Sequence, residues 1–225
     1  MKTYLTRREF IKKSMIVGST IYLSSVESCS GNSQKHNVKS LSTKSRVVII
    51  RNNLVRNSDN TLNSSSIYNI LNNALEYFYE LNSAEKIWAK LFSSEDTVGI
   101  KVNCLAGRGI SSSKELVDAI VENLLSVGIK KDKIIIWDRA NYDLEKAGYK
   151  IQTSSRNIKC YGNDHAGYTN EIYESRSIGS FLSNILVRQC TAIVNVPILK
   201  DHGIVGVTNA LKNFFGAIHN PNKYH

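Results

Sequence analysis

The sequence predicts an α/β fold in which a mostly parallel sheet has helices on both faces. Short runs of apolar, β-branched residues alternate along the chain with longer segments whose apolar residues recur at helical spacing. The short runs are apolar at nearly every position, which indicates strands buried on both faces. Strands of this kind, separated by helices, are typical of a parallel sheet covered on its two sides.

The first half of the chain predicts two strands and three helices. In chain order these are a strand at 46–51, helices at 67–81 and 84–92, a strand at 96–103 and a helix at 116–127. Ser83 can cap the second helix, and Ser112 with Glu115 matches a capping box for the third. Gly128 ends that helix, because glycine readily adopts the left-handed conformation of a C-cap.

The second half continues the alternation. It predicts a strand at 134–138, a short helix at 143–147, a strand at 157–161, a helix at 178–188, a strand at 192–196 and a mostly helical segment at 203–218. The run at 134–138, Ile-Ile-Ile-Trp-Asp, is apolar until its last residue, as expected of a buried strand that ends at a polar edge. We therefore expect a single α/β domain over residues 46–225.

Residues 1–29 have the features of a twin-arginine signal peptide. Residues 6–12, Thr-Arg-Arg-Glu-Phe-Ile-Lys, match the pattern Ser/Thr-Arg-Arg-x-Phe-Leu-Lys, with Ile in place of Leu. The apolar stretch at 15–23 is shorter than the roughly 20 residues that span a bilayer, so a signal peptide fits better than an anchor helix. We expect the twin-arginine translocase to export the folded protein to the periplasm or cell envelope. A basic, amphipathic first helix of the domain is the alternative.

Cys29 allows two interpretations. Val26 and Ser28 suit the small-residue box that precedes a lipidated cysteine, whereas Glu27 departs from it. Lipidation of Cys29 would anchor the protein to a membrane. The alternative is a cysteine that lies near an ordinary cleavage site. Residues 30–45, rich in Ser, Asn and Lys, predict a flexible tether.

Composition excludes several classes of protein. The chain has 29 basic and 19 acidic residues, a formal net charge of +10, which favours anionic partners. No nucleic-acid partner is expected, because no run of Lys and Arg and no basic stripe with interleaved aromatic residues occurs. Cys104, Cys160 and Cys190 are far apart and form no Cys-x-x-Cys, so a cysteine-ligated iron–sulfur cluster is not expected. The sequence identifies no other cofactor and no metal ion.

Cations and polar side chains follow three predicted strands where each strand ends. Ligands of open parallel sheets bind outside the carboxyl ends of the strands, so we expect these side chains to meet at one edge. The residues expected to bind a small anionic ligand there are Lys101, Asn103, Gly107, Arg108, Gly109, Asp138, Arg139, Thr208, Lys212 and Asn213. The glycine-rich loop 107–109 precedes a helix N-terminus, whose free N–H groups favour an anion. An ordinary tight turn is the alternative.

Lys200, Asp201 and His202 follow the last predicted strand and are the candidate catalytic residues. Asp201 and His202 would form an acid/base or metal-binding pair, and Lys200 would hold an anion or act as a base. A polar loop in which the Asp and His satisfy the backbone is the alternative. Cys104 with His202 is a further candidate nucleophile pair, and a buried structural thiol is the competing interpretation of Cys104.

Several of these segments resemble a bacterial family called domain of unknown function 362. The resemblance covers most of residues 46–225 and lies in residues 96–103, the glycine-rich loop, 135–139, 195–203, 206–213, Gly216 and 220–222. Exported members of that family often begin with a twin-arginine leader, as here. Some members carry ferredoxin-like cysteine clusters that imply redox work, but this chain has none, so that implication does not transfer. Members usually continue past the Asn-Pro-Asn segment, so the resemblance implies a chain that is short at its C-terminus.

Three functions stay open at this point. The leading one is an exported α/β protein that binds a small anionic ligand or cofactor at the strand ends, with enzymatic activity as an extension. The others are a non-catalytic envelope lipoprotein or binding module, and an inactive, truncated member of the family.

The mass of the mature N-terminus tests the leader and the anchor together. We expect protein purified from an exporting host to begin at or near Cys29. A lipid mass on Cys29 would support the anchor. An unmodified Cys29, or a start beyond it, rules the anchor out, and an intact Met1 terminus would contradict export.

Overall fold

The computed structural model describes residues 45–224, and its central feature is a parallel sheet. The strands of residues 45–224 are β1 (Val98–Lys101), β2 (Ile134–Asp138), β3 (Lys159–Gly162), β4 (Tyr173–Ser175), β5 (Ile178–Ser180), β6 (Ala192–Asn195), β7 (Lys200–His202) and β8 (Gly206–Thr208). Four of them form the main sheet in the order β3-β2-β1-β6, all parallel. The predicted α/β fold with a mostly parallel sheet is confirmed.

Helical segments connect and cover the strands. The α-helices are α1 (Ser64–Tyr79), α2 (Ala84–Leu91), α3 (Lys114–Ser126), α4 (Asn141–Lys146), α5 (Asn163–Ala166) and α6 (Ala210–Asn213). Shorter turns are 3-10 at Asn53–Val55, Lys131–Lys133, Phe214–Ala217 and Pro221–Tyr224, and π-helical at Ile185–Gln189. Ser83 caps α2 as predicted, since its side chain accepts a hydrogen bond from the Lys86 N–H.

The sheet has a hydrophobic core on each face, because successive side chains of a strand point to opposite sides. Ile134 and Ile136 of β2 pack with side chains of α1, α2 and α3 on one face. Ile135 and Trp137 pack on the other face with the π-helical turn and the 3-10 turn at Phe214–Ala217. Burial on both faces explains why the β1 and β2 sequences are apolar at almost every position.

The strand order places a switch point between β1 and β6. From β1 the chain proceeds to β2 and β3 on one side of the sheet, and it later returns to β6 on the other side of β1. Lys101 at the end of β1 is in register with Trp137 of β2 and Asn195 of β6. Switch points of this kind leave a crevice outside the carboxyl ends of the strands, where ligands bind.

The predicted strand at 46–51 is wrong. Residues 45–52 form neither helix nor strand, and Val47 and Ile49 are 76% and 78% exposed. β-Branched residues favour a strand only where they pack on a pleated neighbour, and within residues 45–224 no strand pairs with this run.

Two predicted helices are also wrong for most of their length. Residues 178–180 form β5, which pairs antiparallel with β4, and only the π-helical turn follows the predicted helical pattern of 178–188. The segment 203–218 begins as the β7–β8 hairpin and becomes helical only from Ala210. Gly206 has a φ of +78°, which suits the hairpin turn and disfavours a helix at this position.

The predicted capping box is displaced by one residue. Ser113 caps α3, with its hydroxyl accepting a hydrogen bond from the Leu116 N–H. The Ser112 hydroxyl instead accepts from the Asn103 N–H and donates to the Val196 carbonyl, which ties the loops after β1 and β6 together. Ser112, which the local pattern assigned to the helix cap, therefore makes a tertiary contact instead.

The leader and most of the predicted tether, including Arg7, Arg8 and Cys29, lie outside the described residues. Within residues 45–224, no helix has the length and hydropathy needed to cross a membrane. The described residues from Arg46 onward form one compact unit.

Gly99 in the centre of β1 provides a test of the packing on the second face. A Cβ at this position would lie 2.7 Å from Cys190 Sγ and 2.8 Å from Ile193 Cδ1. We expect Gly99→Ala to lower the free energy of unfolding by about 1–3 kcal/mol, as overpacking typically does. Urea denaturation measures it. In Gly203→Ala the new Cβ meets nothing within 4 Å, so a comparable loss in that control would contradict the packing argument.

Candidate functional site

A buried ion pair lies at the carboxyl ends of the two central strands. Lys101 is fully buried, and its Nζ donates to Asp138 Oδ1 at 2.5 Å and to the Val102 carbonyl at 2.6 Å. Asp138 Oδ1 also accepts from the Arg139 N–H, and its Oδ2 accepts from the Cys104 N–H at 2.6 Å. Each charge therefore has an opposite charge and further hydrogen bonds, as burial requires.

Gly216 allows the chain to pass directly over this ion pair. A Cβ at residue 216 would lie 3.0 Å from Asp138 Oδ1 and 3.1 Å from Lys101 Nζ. A larger residue would have to push the turn away from the pair. The turn at Phe214–Ala217 thus lies directly against the pair.

The side-chain amide of Asn213 joins the strands at the switch point. Its Nδ2 donates to the Lys101 carbonyl at 3.2 Å and to Asn195 Oδ1 at 2.8 Å. Its Oδ1 accepts from Lys101 Nζ at 3.3 Å and from Asn103 Nδ2 at 3.1 Å. A single buried amide therefore holds β1, β6 and the start of the loop after β1 in one arrangement.

A cleft of about 140 Å³ opens above the ion pair. Eight of the predicted site residues line it: Asn103, Asp138, Arg139, Lys200, His202, Thr208, Lys212 and Asn213. They come from the ends of β1 and β2, from the β7–β8 hairpin and from α6. The parallel sheet, the hairpin and α6 together bring residues up to 110 positions apart to one place, as in the contact between Asn103 and Asn213.

Among the described residues, three cations line this cleft. Lys200 Nζ donates to Asn103 Oδ1 at 2.7 Å, and burial lowers the pKa of its ammonium group while nearby Asp138 opposes the shift. Lys212 Nζ lies 3.5 Å from the centroid of the Phe215 ring, and burial lowers its pKa as well. Arg139 is partly exposed at the rim. Because burial disfavours the charged form of both ammonium groups, an anion bound beside them would stabilise that form.

The β7 strand separates the three candidate catalytic residues. Lys200 and His202 line the cleft, whereas Asp201 is exposed and does not line it, as the alternation of a strand requires. His202 Nδ1 accepts hydrogen bonds at 3.3 Å from the backbone N–H groups of Ile204 and Val205. A neutral ring in this arrangement carries its proton on Nε2 and acts there as a donor. A role for these residues in catalysis stays a prediction.

The glycine-rich loop lies apart from this cleft. Gly107 and Gly109 have φ values of +76° and +86°, so each takes a conformation that suits glycine in a tight turn. Arg108 and Gly109 line a different depression, together with Lys114 at the start of α3. The structure thus does not bring Gly107, Arg108 and Gly109 together with the other predicted ligand-binding residues.

Cys104 has the environment of a structural thiol. It is fully buried, does not line the cleft, and burial together with the nearby Asp138 carboxylate raises its pKa strongly. Burial also raises the pKa values of Cys160 and Cys190 to about 12. Thiols of this kind stay protonated and unreactive at neutral pH, which favours the structural interpretation over a Cys104–His202 pair.

The cleft also contains residues that the sequence analysis did not assign to a site: Leu105, Asp143, Phe215, Gly216, Pro221 and Asn222. Asp143 is the residue that the sequence could best have indicated, because it lies in the first turn of α4, the helix that directly follows β2. That turn lies near the carboxyl end of β2, and ligands of open parallel sheets bind outside such strand ends. Phe215 and Asn222 come from turns whose position depends on how the C-terminal segment packs.

Among residues 45–224, no three or more His, Cys, Asp or Glu side chains are grouped so that they could hold a metal ion.

The site lies within a region shared with a known family. The family model described as "Domain of unknown function (DUF362)" matches residues 98–225, which include every residue that lines the cleft. Comparison with curated proteins and with solved structures finds no match.

The buried ion pair can be tested by a double-mutant cycle. We expect Lys101→Met and Asp138→Asn each to lower the free energy of unfolding by about 3–5 kcal/mol, because each leaves a buried partner uncompensated. The double variant should lose less than the two single losses combined, with a coupling of about 1 kcal/mol or more. Urea denaturation followed by circular dichroism gives the three values, and additive losses would contradict direct pairing.

Proposed function

Because the chain belongs to the domain of unknown function 362 family, whose name assigns no activity, we propose its function from the geometry of the cleft: the protein binds a small anionic ligand at the carboxyl edge of the sheet. The observation that carries the proposal is the convergence of Lys200, Lys212 and Arg139 on one cleft.

The charge balance of the cleft supports this proposal. The carboxylate of Asp138 lines the cleft, but the buried ammonium of Lys101 neutralises it. Among residues 45–224, Asp143 is then the remaining carboxylate of the lining to set against the three cations. The excess positive charge in a partly buried site attracts an anion more strongly than the same charges would on an open surface.

The available donors also suit an anion. Among residues 45–224 the Lys200 ammonium group donates only to Asn103, so two of its three N–H groups remain for a ligand. His202 lines the cleft with a ring whose Nδ1 accepts from the backbone, and Thr208 adds a hydroxyl group to the lining. Carboxylate and phosphate oxygens accept strongly from such donors.

The cleft is small for a binding site. Its volume of about 140 Å³ is below the roughly 300–1,000 Å³ of pockets that hold drug-sized ligands. A small organic acid or a single phosphoryl group fits these dimensions, and a larger molecule would place only its anionic end inside. The proposal concerns binding, and a non-catalytic binding module satisfies it as fully as an enzyme does.

Export and membrane anchoring are separate proposals. The pattern at residues 6–12 supports export through the twin-arginine translocase, and Cys29 supports a lipid anchor. Together they give an anion-binding protein of the periplasm or cell envelope. The mass of the mature N-terminus decides both points without reference to the cleft.

Inorganic phosphate is a suitable first probe of the cleft. We expect isothermal titration calorimetry at constant ionic strength to detect phosphate binding, and expect Lys200→Met and Lys212→Met each to weaken it by about tenfold or more, the effect of losing a charge-assisted hydrogen bond. Methionine keeps most of the apolar length of lysine, so packing is preserved. Lys131→Met is the matched control, because Lys131 is exposed at the other end of the sheet, before β2.

Two results would count against the proposal. The first is an absence of phosphate and acetate binding by the unaltered protein. The second is an equal loss of affinity in Lys131→Met and in the two cleft variants, which would indicate a non-specific effect of net charge.

A further inference from the structure

Asp143 is a nearly buried carboxylate at the cleft that lacks a hydrogen-bond partner among residues 45–224. Its side chain is 10% exposed, and the Nε of Arg139 lies 3.9 Å from its Oδ2, beyond hydrogen-bond distance. Burial raises the pKa of Asp143, and the Arg139 charge partly opposes that shift. The fully buried side-chain atoms without a partner are Trp137 Nε1 and Asn184 Oδ1 within residues 45–224, so the unpaired oxygens of Asp143 are accessible from the cleft that it lines.

Asp138, the other carboxylate in the described lining of the cleft, has several hydrogen-bond donors within the protein. Asp138 accepts from Lys101 Nζ and from two backbone N–H groups. Three of its roughly four acceptor sites are therefore used within the protein. Among residues 45–224, Asp143 is the cleft carboxylate that accepts no hydrogen bond from the protein, so it has the larger capacity to accept one from a ligand.

We propose that the ligand of this cleft is a small anion that also carries a hydrogen-bond donor, a hydroxyl or ammonium group, and that Asp143 binds this donor. The inference rests on the proposed function, because Lys200 and Lys212 hold the anionic end. The cleft is thus bipolar: its cations select the negative group, and Asp143 selects a second group on the same molecule.

The size of the cleft limits the distance between the two groups of the ligand. A volume of about 140 Å³ is close to the ~150 Å³ of an engineered cavity that holds one benzene molecule. A ligand within it has only a few heavy atoms, so the donor group lies one or two bonds from the carboxylate or phosphoryl group. Short carboxylic acids substituted next to the carboxylate meet this requirement.

A series of three acids separates the contribution of the anionic group to affinity from that of the donor group. Acetate has the anionic group alone, glycolate adds a hydroxyl group, and glycine adds an ammonium group. We expect glycolate or glycine to bind the full-length protein about tenfold more tightly than acetate, the gain from one hydrogen bond to a charged acceptor. NMR titration measures the three dissociation constants. Whichever of glycolate and glycine binds more tightly identifies the donor as a hydroxyl or an ammonium group.

The Asp143→Asn variant tests whether that gain comes from Asp143. Removing the negative charge should leave acetate binding unchanged or tighter. It should also remove most of the difference in affinity between acetate and glycolate or glycine. A purely structural role in the first turn of α4 would instead change all three dissociation constants by the same factor. Asp132→Asn is the matched control, because Asp132 is exposed in the turn before β2.

The outcomes also separate this inference from the proposed function. If acetate and phosphate bind but glycolate and glycine gain nothing in the unaltered protein, only the role of Asp143 is overturned, whether or not the variant folds. If Asp143→Asn weakens all three acids equally, the role of Asp143 is likewise overturned. If no anion binds, the proposed function fails and this inference fails with it.

Discussion

The ion pair between Lys101 and Asp138 is the constraint on which the rest of the site depends. Lys101 is fully buried and Asp138 nearly so at the ends of adjacent buried strands, so each charge needs its partner and further hydrogen bonds. The backbone after β1, the backbone after β2 and the amide of Asn213 provide them. Satisfying the pair therefore determines where the loops and the C-terminal segment lie, including the turn that Gly216 lets pass over it.

The cleft is built outward from this polar centre. Asn213 binds Asn103, and Asn103 in turn accepts from Lys200, so the hairpin that carries Lys200 is linked to the core of the sheet through two amides. Networks of this kind restrict the side chains to one arrangement. A ligand that binds Lys200 consequently contacts a group already oriented by the fold, and less conformational entropy is lost on binding.

The sequence predicted the buried elements best. The strands β1, β2, β3 and β6, together with α1 to α4, occur within a few residues of their predicted bounds, because burial on one face or two leaves a clear apolar period. The wrong predictions lie in segments where the apolar pattern did not arise from burial in the predicted element. The run at 46–51 is strand-like in composition but has no pairing partner among the described residues, and 178–188 contains a hairpin strand where a helical spacing also fits.

By itself the sequence determined the α/β class, the strands of the sheet and the expectation that polar residues at their ends would form a site. Those features depend on local period and on the general geometry of parallel sheets. Only the tertiary structure decided which of the candidates share the cleft, because that depends on contacts between distant segments. It separated the glycine-rich loop from the cleft, put Asp201 on the far face of β7, and added Asp143 as the carboxylate beside three cations. Side-chain direction and burial, which no residue pattern specifies, made those choices.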